Sequence, residues 1–182
     1  MAKNTKRILF CGTQGTGKTT ILNMFKERGE NVITEVVRRL AKERGIKINR
    51  EGNDETQKTV FGMYQQVLSE NVPYISDRSL IDVYAYTCDG VNRGKISEKI
   101  MIDQYEDILN FLEENPDVYV FYFPIEFPVV ADGIRSTDEE YRKEIDRLMH
   151  KALDDAMVNY WTVSGTPEER FAQICEIIKY PM

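Results

Sequence analysis

The stretch Gly12-Thr13-Gln14-Gly15-Thr16-Gly17-Lys18-Thr19 constrains this chain more than any other. The apolar run Arg7-Ile8-Leu9-Phe10-Cys11 precedes it, and a helix-compatible segment from Lys18 to about Glu27 follows. Glycines at 12, 15 and 17 let backbone amides turn inward, and the helix beginning near Lys18 adds the positive end of its dipole. Strand, glycine loop and helix in that order make an anion cradle out of the backbone. A glycine-rich structural turn is the alternative for such a loop, but the position of these residues after an apolar strand and before a helix supplies the context of a phosphate loop.

The rest of the chain repeats the alternation of strand and helix. Residues 31–34 read as a short strand, and residues 35–44 as a helix stopped by Gly45. Asp54 is placed to cap a helix running to about Glu70, with Val60, Phe61, Tyr64, Val67 and Leu68 as its buried stripe. Tyr74-Ile75-Ser76 is a strand with Asp77-Arg78-Ser79 at its C-terminal end, and a helix follows from near Leu80. A helix over 97–114 leads to residues 118–123, an apolar run that reads as a central strand buried on both faces. A charged stretch over 132–151, a strand over 160–163 and a helix over 167–178 complete the series. Parallel crossovers need connections of this kind, so the expected fold is a three-layer α/β/α P-loop NTPase architecture with about five parallel strands. One domain over residues 1–182 is expected, with 132–151 as a candidate lid.

Composition narrows the function classes. The 182 residues suffice for one core, and 42% apolar with 30% charged residues is globular usage. No run is long enough to cross a bilayer, and the N-terminus lacks a signal-peptide core, so a cytoplasmic protein with no membrane partner is expected. Cys11, Cys88 and Cys175 have no paired spacing and read as buried free thiols. A net charge of −6 argues against bulk wrapping of nucleic acid. Residues 1–50 nevertheless hold 12 lysines and arginines against 4 acids, which places phosphate handling in the N-terminal third. Trp161 and the aromatic run 119–123 read as core, and His150 has no partner motif.

Within the cradle, residues 12–19 together with Thr20 are the candidate nucleotide ligands, with ATP as the triphosphate. Lys18 is placed to reach the β- and γ-phosphates, and the Thr19 hydroxyl to meet magnesium (Mg2+). Asp77, at the end of a neighbouring strand, is the candidate second metal-side residue, with helix capping or an ion pair as its other use.

Five elements in this order carry a family resemblance: residues 12–19; Thr34-Glu35 with Arg38 and Arg39; Asp77-Arg78-Ser79 with Asp82, Ala85 and Tyr86; Asp132-Gly133-Ile134-Arg135 with Arg142; and Val163-Ser164-Gly165-Thr166 with Arg170. The chain resembles the ribosylnicotinamide-kinase-like P-loop group and, more loosely, thymidylate and deoxynucleoside kinases. That resemblance implies transfer of the γ-phosphoryl group of ATP to a nucleoside, a nucleotide or a similar hydroxyl compound. Glu35 then accepts a proton from the acceptor or orients it, or is a carboxylate favoured by a helix N-terminus. Arg78 holds a phosphate or an ion-pair partner, and Arg38 and Arg39 are candidate acceptor ligands. Arg135 and Arg142 are the candidate lid arginines, with a solvated helix face as the other reading of Arg142. Gly165 and Thr166 resemble a loop that touches the nucleotide base, and a simple turn before a capped helix explains them as well.

Two other functions stay open on the sequence. Phage P-loop kinases act on hydroxymethylated pyrimidines in DNA, and the row Arg38, Arg39, Lys42, Arg44, Lys47 and Arg50 could follow modified DNA. A nucleotide-dependent regulatory ATPase is the alternative of another class. The oligomeric state is not readable from these residues.

Overall fold

The computed structural model describes residues 4–34, 36–45, 49–128 and 138–181, without the side chains of Arg38, Leu40, Ala41, Arg44 and Asn49. Its elements are β1 (Arg7–Cys11), α1 (Lys18–Glu27), β2 (Val32–Ile33), α2 (Val36–Arg44), α3 (Asp54–Leu68), β3 (Tyr74–Ser76), α4 (Leu80–Asn92) and α5 (Glu98–Glu114), then β4 (Tyr119–Tyr122), α6 (Glu139–Asp155), β5 (Tyr160–Thr162) and α7 (Pro167–Ile178). The strands form one sheet in the order β2-β3-β1-β4-β5, and every neighbouring pair is parallel. This is the expected three-layer P-loop NTPase fold.

Alternation along β1 explains the two outer layers. Ile8 and Phe10 join Phe121 and Phe123 under α1 and α7, where Ile21, Leu22, Phe25, Phe171 and Ile174 pack. Leu9 and Cys11 face the opposite way with Val120 and Tyr122, against α3, α4 and α6. A strand with both faces covered must be apolar at successive positions, and the side-chain period of two then feeds each layer in turn. Each fully buried large side chain contributes about 1.5–3 kcal/mol relative to exposure. Phe10 of β1 and Phe123 after β4 meet at 4.9 Å between ring centroids, and Phe25 and Phe171 at 4.6 Å join α1 to α7 above them.

Three expectations need correction. Asn53 rather than Asp54 caps α3, its side chain accepting from Thr56 N, while the Asp54 carboxylate accepts from Ser97 N. Asn and Asp cap about equally well, so chain geometry decides between adjacent candidates. Trp161 lies at the edge strand β5, is 38% exposed and stacks on Tyr119 at 5.4 Å instead of entering the core. Cys88 is only half-buried, unlike Cys11 and Cys175.

The connection after β1 leads toward β2 and β3, whereas the connection after β3 crosses β1 to reach β4. The strand order therefore reverses between β1 and β3, and a crevice opens outside their carboxyl ends, where open α/β sheets bind ligands. Residues 12–19 leave β1 at that point, and Asp77 leaves β3 beside them.

Candidate phosphate-binding site

Gly12, Gly15 and Gly17 all have positive φ, at 151°, 72° and 90°. A Cβ at Gly12 would lie 2.6 Å from the Phe123 carbonyl oxygen, so the loop runs hard against the end of β4 and tolerates only glycine there. Gly17 is the N-cap of α1 and supplies no side chain, leaving the first-turn N–H groups of this helix without a capping partner. Thr13 Oγ1 is buried with no hydrogen-bond partner among the described residues. Uncapped amides, a helix dipole and an orphaned buried hydroxyl fit a phosphate-bearing ligand.

Lys18 is folded into the loop. Its Nζ donates to Gly12 O at 2.6 Å, Thr13 O at 2.7 Å and Thr16 Oγ1 at 3.3 Å. Burial, helped by the Arg78 charge, pulls its pKa from 10.5 down to about 8 against the opposing pull of Asp82 and Asp77. The lysine is thus a desolvated cation held by neutral carbonyls.

The outer side of the loop is braced by two buried arginines. Arg142, on the first turn of α6, donates from Nε to Gln14 O at 2.9 Å, from one terminal nitrogen to Gly15 O at 3.1 Å and from the other to Phe127 O at 2.7 Å. It is 1% exposed, so the solvated-surface reading and the lid-arginine reading of this residue are both corrected: its donors go to backbone carbonyls, with Glu139 at 3.3 Å, and α6 from Tyr141 onward packs into the core rather than forming part of a lid. Arg170 of α7 donates to Thr16 O and to Glu126 Oε2, each at 2.5 Å, between the rings of Phe123 and Phe127.

At the end of β3, Asp77 Oδ2 accepts from Thr19 Oγ1 at 3.3 Å and from Thr34 Oγ1 at 3.4 Å. Ser79, not Asp77, caps α4, in a reciprocal box with Asp82, so Asp77 is left to face the loop. Asp82 is fully buried and accepts from Ser79 N, Ser79 Oγ and Gly12 N at 2.8, 2.6 and 3.2 Å. Arg78, whose side chain is partly exposed, lies 3.9 Å from the buried Asp82 and over the Tyr86 ring at 5.8 Å, at the edge of the crevice.

A cleft of about 270 Å³ opens beside Gly15 and Gly17. Its walls are Thr20 and Ile21 of α1, Phe127 and Pro128 after β4, Gly165 before α7, and Pro167 and Arg170 of α7. Thr166 is not free to read a ligand with its hydroxyl, which caps α7 by accepting from Glu169 N at 3.2 Å. Gly165, at φ 97°, donates its N–H to Glu126 Oε2 at 3.0 Å. The sequence reading missed Glu126, Phe127 and Pro128, which carry no motif. It named Asp82 and Arg170 without giving them a role, although Ser79-Leu80-Ile81-Asp82 has the spacing of a capping box. Arg39 is exposed on α2, Glu35 and Arg135 lie outside the described residues, and so does the side chain of Arg38.

An anion cradle between a central strand and a helix, with a buried lysine and a Thr-Asp pair at the switch point of a parallel sheet, defines a P-loop nucleotide-binding protein. The chain belongs to the AAA domain family, which it matches over residues 7–170. Among solved structures it is similar to the NadR protein in complex with NAD and AMP-PNP, with a TM-score of 0.72, 12% identity, and coverage of 98% of this chain and 51% of that one. It is also similar to deoxyadenosine kinase from M. mycoides, with a TM-score of 0.61, 15% identity and coverage of 95% and 98%. Thymidylate kinase from Candida albicans gives a TM-score of 0.61, 14% identity and coverage of 98% and 93%. The chain spans about half the length of NadR and nearly all of the other two. A search of curated proteins finds no match. The fold is therefore a P-loop fold like that of nucleoside and nucleotide kinases, and among the described residues no helix is long and apolar enough to cross a membrane.

Proposed function

We propose that this chain is an ATP-dependent kinase that transfers the γ-phosphoryl group to a hydroxyl or phosphate of a nucleoside or (deoxy)nucleotide. The observation that carries this reading is one continuous crevice order: cleft, phosphate cradle, Lys18, then Asp77 and Arg78. The cleft beside Thr20 and Gly165 has the position and volume for the base of ATP, with Phe127 as an apolar wall. Residues 12–19 take the phosphates, and Lys18 turns from the loop carbonyls to the β- and γ-phosphates.

Thr19 and Asp77 are hard oxygen donors that fit magnesium, which when bound neutralises charge on the phosphates. Among the described residues there is no cluster of three or more acids, histidines or cysteines, as suits a cation held by one carboxylate and substrate phosphates. Arg78 is the candidate ligand of an acceptor or transferring phosphate, and Glu35 the candidate base or orienting acid. Arg38, Arg39 and Arg135 are proposed on the acceptor and lid side. Arg142, with its donors on the loop backbone, belongs to the donor side.

The pH dependence of ligand affinity follows from Lys18. Its folded pKa, about 8, lies below the ordinary 10.5, so between these values the folded chain binds fewer protons than the unfolded chain. The cost of burying the charge is fully present below about pH 8 and is relieved as pH rises toward 10.5. A bound phosphate favours the charged lysine, so ADP affinity is expected to fall above about pH 8. Calorimetric titration of ADP on either side of that pH checks this, and in Lys18→Met the added decline should vanish.

The reaction is tested by incubating the protein with labelled ATP, magnesium and a panel of nucleosides, mononucleotides, nicotinamide riboside and base-modified DNA. Label is expected in one acceptor class. Label that stays in ATP or passes only to free phosphate overturns the kinase reading.

A further inference from the structure

The phosphate cradle works only if its amides point inward, yet nothing in a glycine-rich loop fixes that direction by itself. Three consecutive carbonyls of this loop are held from behind: Gln14 O and Gly15 O by Arg142 at 2.9 and 3.1 Å, and Thr16 O by Arg170 at 2.5 Å. In a trans peptide the C=O of one residue and the N–H of the next point in opposite directions across one plane. No peptide in the described chain is cis. Fixing the carbonyls of residues 14, 15 and 16 toward the guanidinium groups therefore directs the N–H groups of Gly15, Thr16 and Gly17 away from them, into the cradle.

We propose that Arg142 and Arg170 are positioning residues that set the direction of the phosphate-binding amides. The alternative, that they only hold α6 and α7 in place, leaves their cost unexplained. Each is 1% exposed, and a buried cation is expensive unless it meets a full countercharge. Among the described residues Arg142 has the half-exposed Glu139 at 3.3 Å as its one countercharge, and its shorter contacts are all to neutral carbonyls. Arg170 has Glu126 but leaves its buried Nε without a partner. Two positive charges set directly behind the loop also raise its potential toward an anion. The bracing comes from helices far along the chain, 128 residues from Gln14 and 154 from Thr16, so it depends on the finished fold. Arg142 stands four residues after Asp138, where α6 is capped, so this helix carries the bracing to the loop from its first turn.

The test compares Arg142→Lys and Arg170→Lys with the wild-type chain, resting on the reading above that the loop holds nucleotide phosphates. Lysine keeps the buried charge but has one compact donor centre in place of the planar fork, so it cannot reproduce from separate nitrogens the contacts of Arg142 to Gln14 O and Gly15 O, or of Arg170 to Thr16 O and Glu126. ADP is titrated calorimetrically, and adenosine, which has no phosphate, is followed by ligand-observed NMR. Each variant is expected to bind ADP about 10- to 100-fold more weakly, the scale of charge-assisted hydrogen bonds, with adenosine, whose cleft Arg170 lines, weakened much less. Arg147→Ala, an exposed pair partner of Glu144 on the same helix, should bind both ligands like the wild type. Where a lysine variant does not fold, its glutamine counterpart, which also removes the charge, is titrated in the same way, and ADP weakened more than adenosine stays the expected result. ADP binding unchanged in both variants, or ADP and adenosine weakened alike, overturns the positioning role alone. Failure of the wild-type chain to bind ADP overturns the nucleotide reading and the positioning role with it.

Discussion

Replacing Lys18 with alanine is expected to lower phosphoryl transfer by at least about 10²- to 10³-fold, the scale for removing one preorganised charge-stabilising donor. The fold should survive the change, and the reason lies in how the lysine is held. Its ammonium is desolvated enough to bring its pKa down to about 8, so the folded chain carries a cost for that charge. Alanine removes the cost together with the bonds to Gly12 O and Thr13 O. The two effects oppose one another, and a net change of about 1–2 kcal/mol corresponds to a shift of roughly 2–8 °C in Tm for a chain of this size. Initial rates with labelled ATP, measured beside a thermal unfolding curve, separate loss of chemistry from loss of fold. Retention of transfer in Lys18→Ala would show that another group meets the γ-phosphate.

Local chemistry made much of this architecture legible before any coordinates. The glycines at 12, 15 and 17 sit at positive φ because the loop must turn sharply between β1 and α1, a demand written in the residues themselves. Helix α7 begins at Pro167 after Thr166, where proline at the first position and a threonine cap are both local signals. The run ending at Phe123 read as a central strand because both its faces are covered.

What stayed hidden is what only the sheet brings together. Arg142 looks like one more charged residue among the acids of α6, and nothing around it announces that Gln14 and Gly15 are its partners. Arg170 is likewise a lone cation in an amphipathic helix until β4 delivers Glu126 and Phe127 beside it. Trp161 shows the same limit from the opposite side: an aromatic in a strand suggests core, but strand order decides which strand is the edge. Motifs that act through their own backbone are readable in sequence, whereas side chains that act on a distant backbone are not.

Asp82→Ala should be the most damaging single substitution to stability among the residues around the crevice. Four groups converge on this one carboxylate: Ser79 N, Ser79 Oγ and Gly12 N donate to it, and Arg78 stands at 3.9 Å. Alanine removes the reciprocal half of the α4 capping box, leaves the Gly12 amide without its acceptor, and strands the Arg78 guanidinium beside it. Loss of the cap and of the acceptor of a buried amide together costs about 2–5 kcal/mol, which for a chain of this length lowers Tm by roughly 4–20 °C. Asp82→Asn keeps one acceptor oxygen and turns the other into an NH2 donor, so either the Ser79 pair or Gly12 N loses its acceptor, and the variant should fall between alanine and wild type. Asp103→Ala, which removes an exposed partner of Lys99, should shift Tm by no more than about 2–4 °C, because surface pairs contribute about 0–1 kcal/mol. Thermal unfolding of the three variants gives the ranking. Since Gly12 N hangs from Asp82 and Gly12 opens the phosphate loop, ADP affinity should fall in Asp82→Asn even where most of the protein remains folded. A melting temperature for Asp82→Ala within about 2 °C of wild type would mean that the loop and α4 are anchored by other contacts.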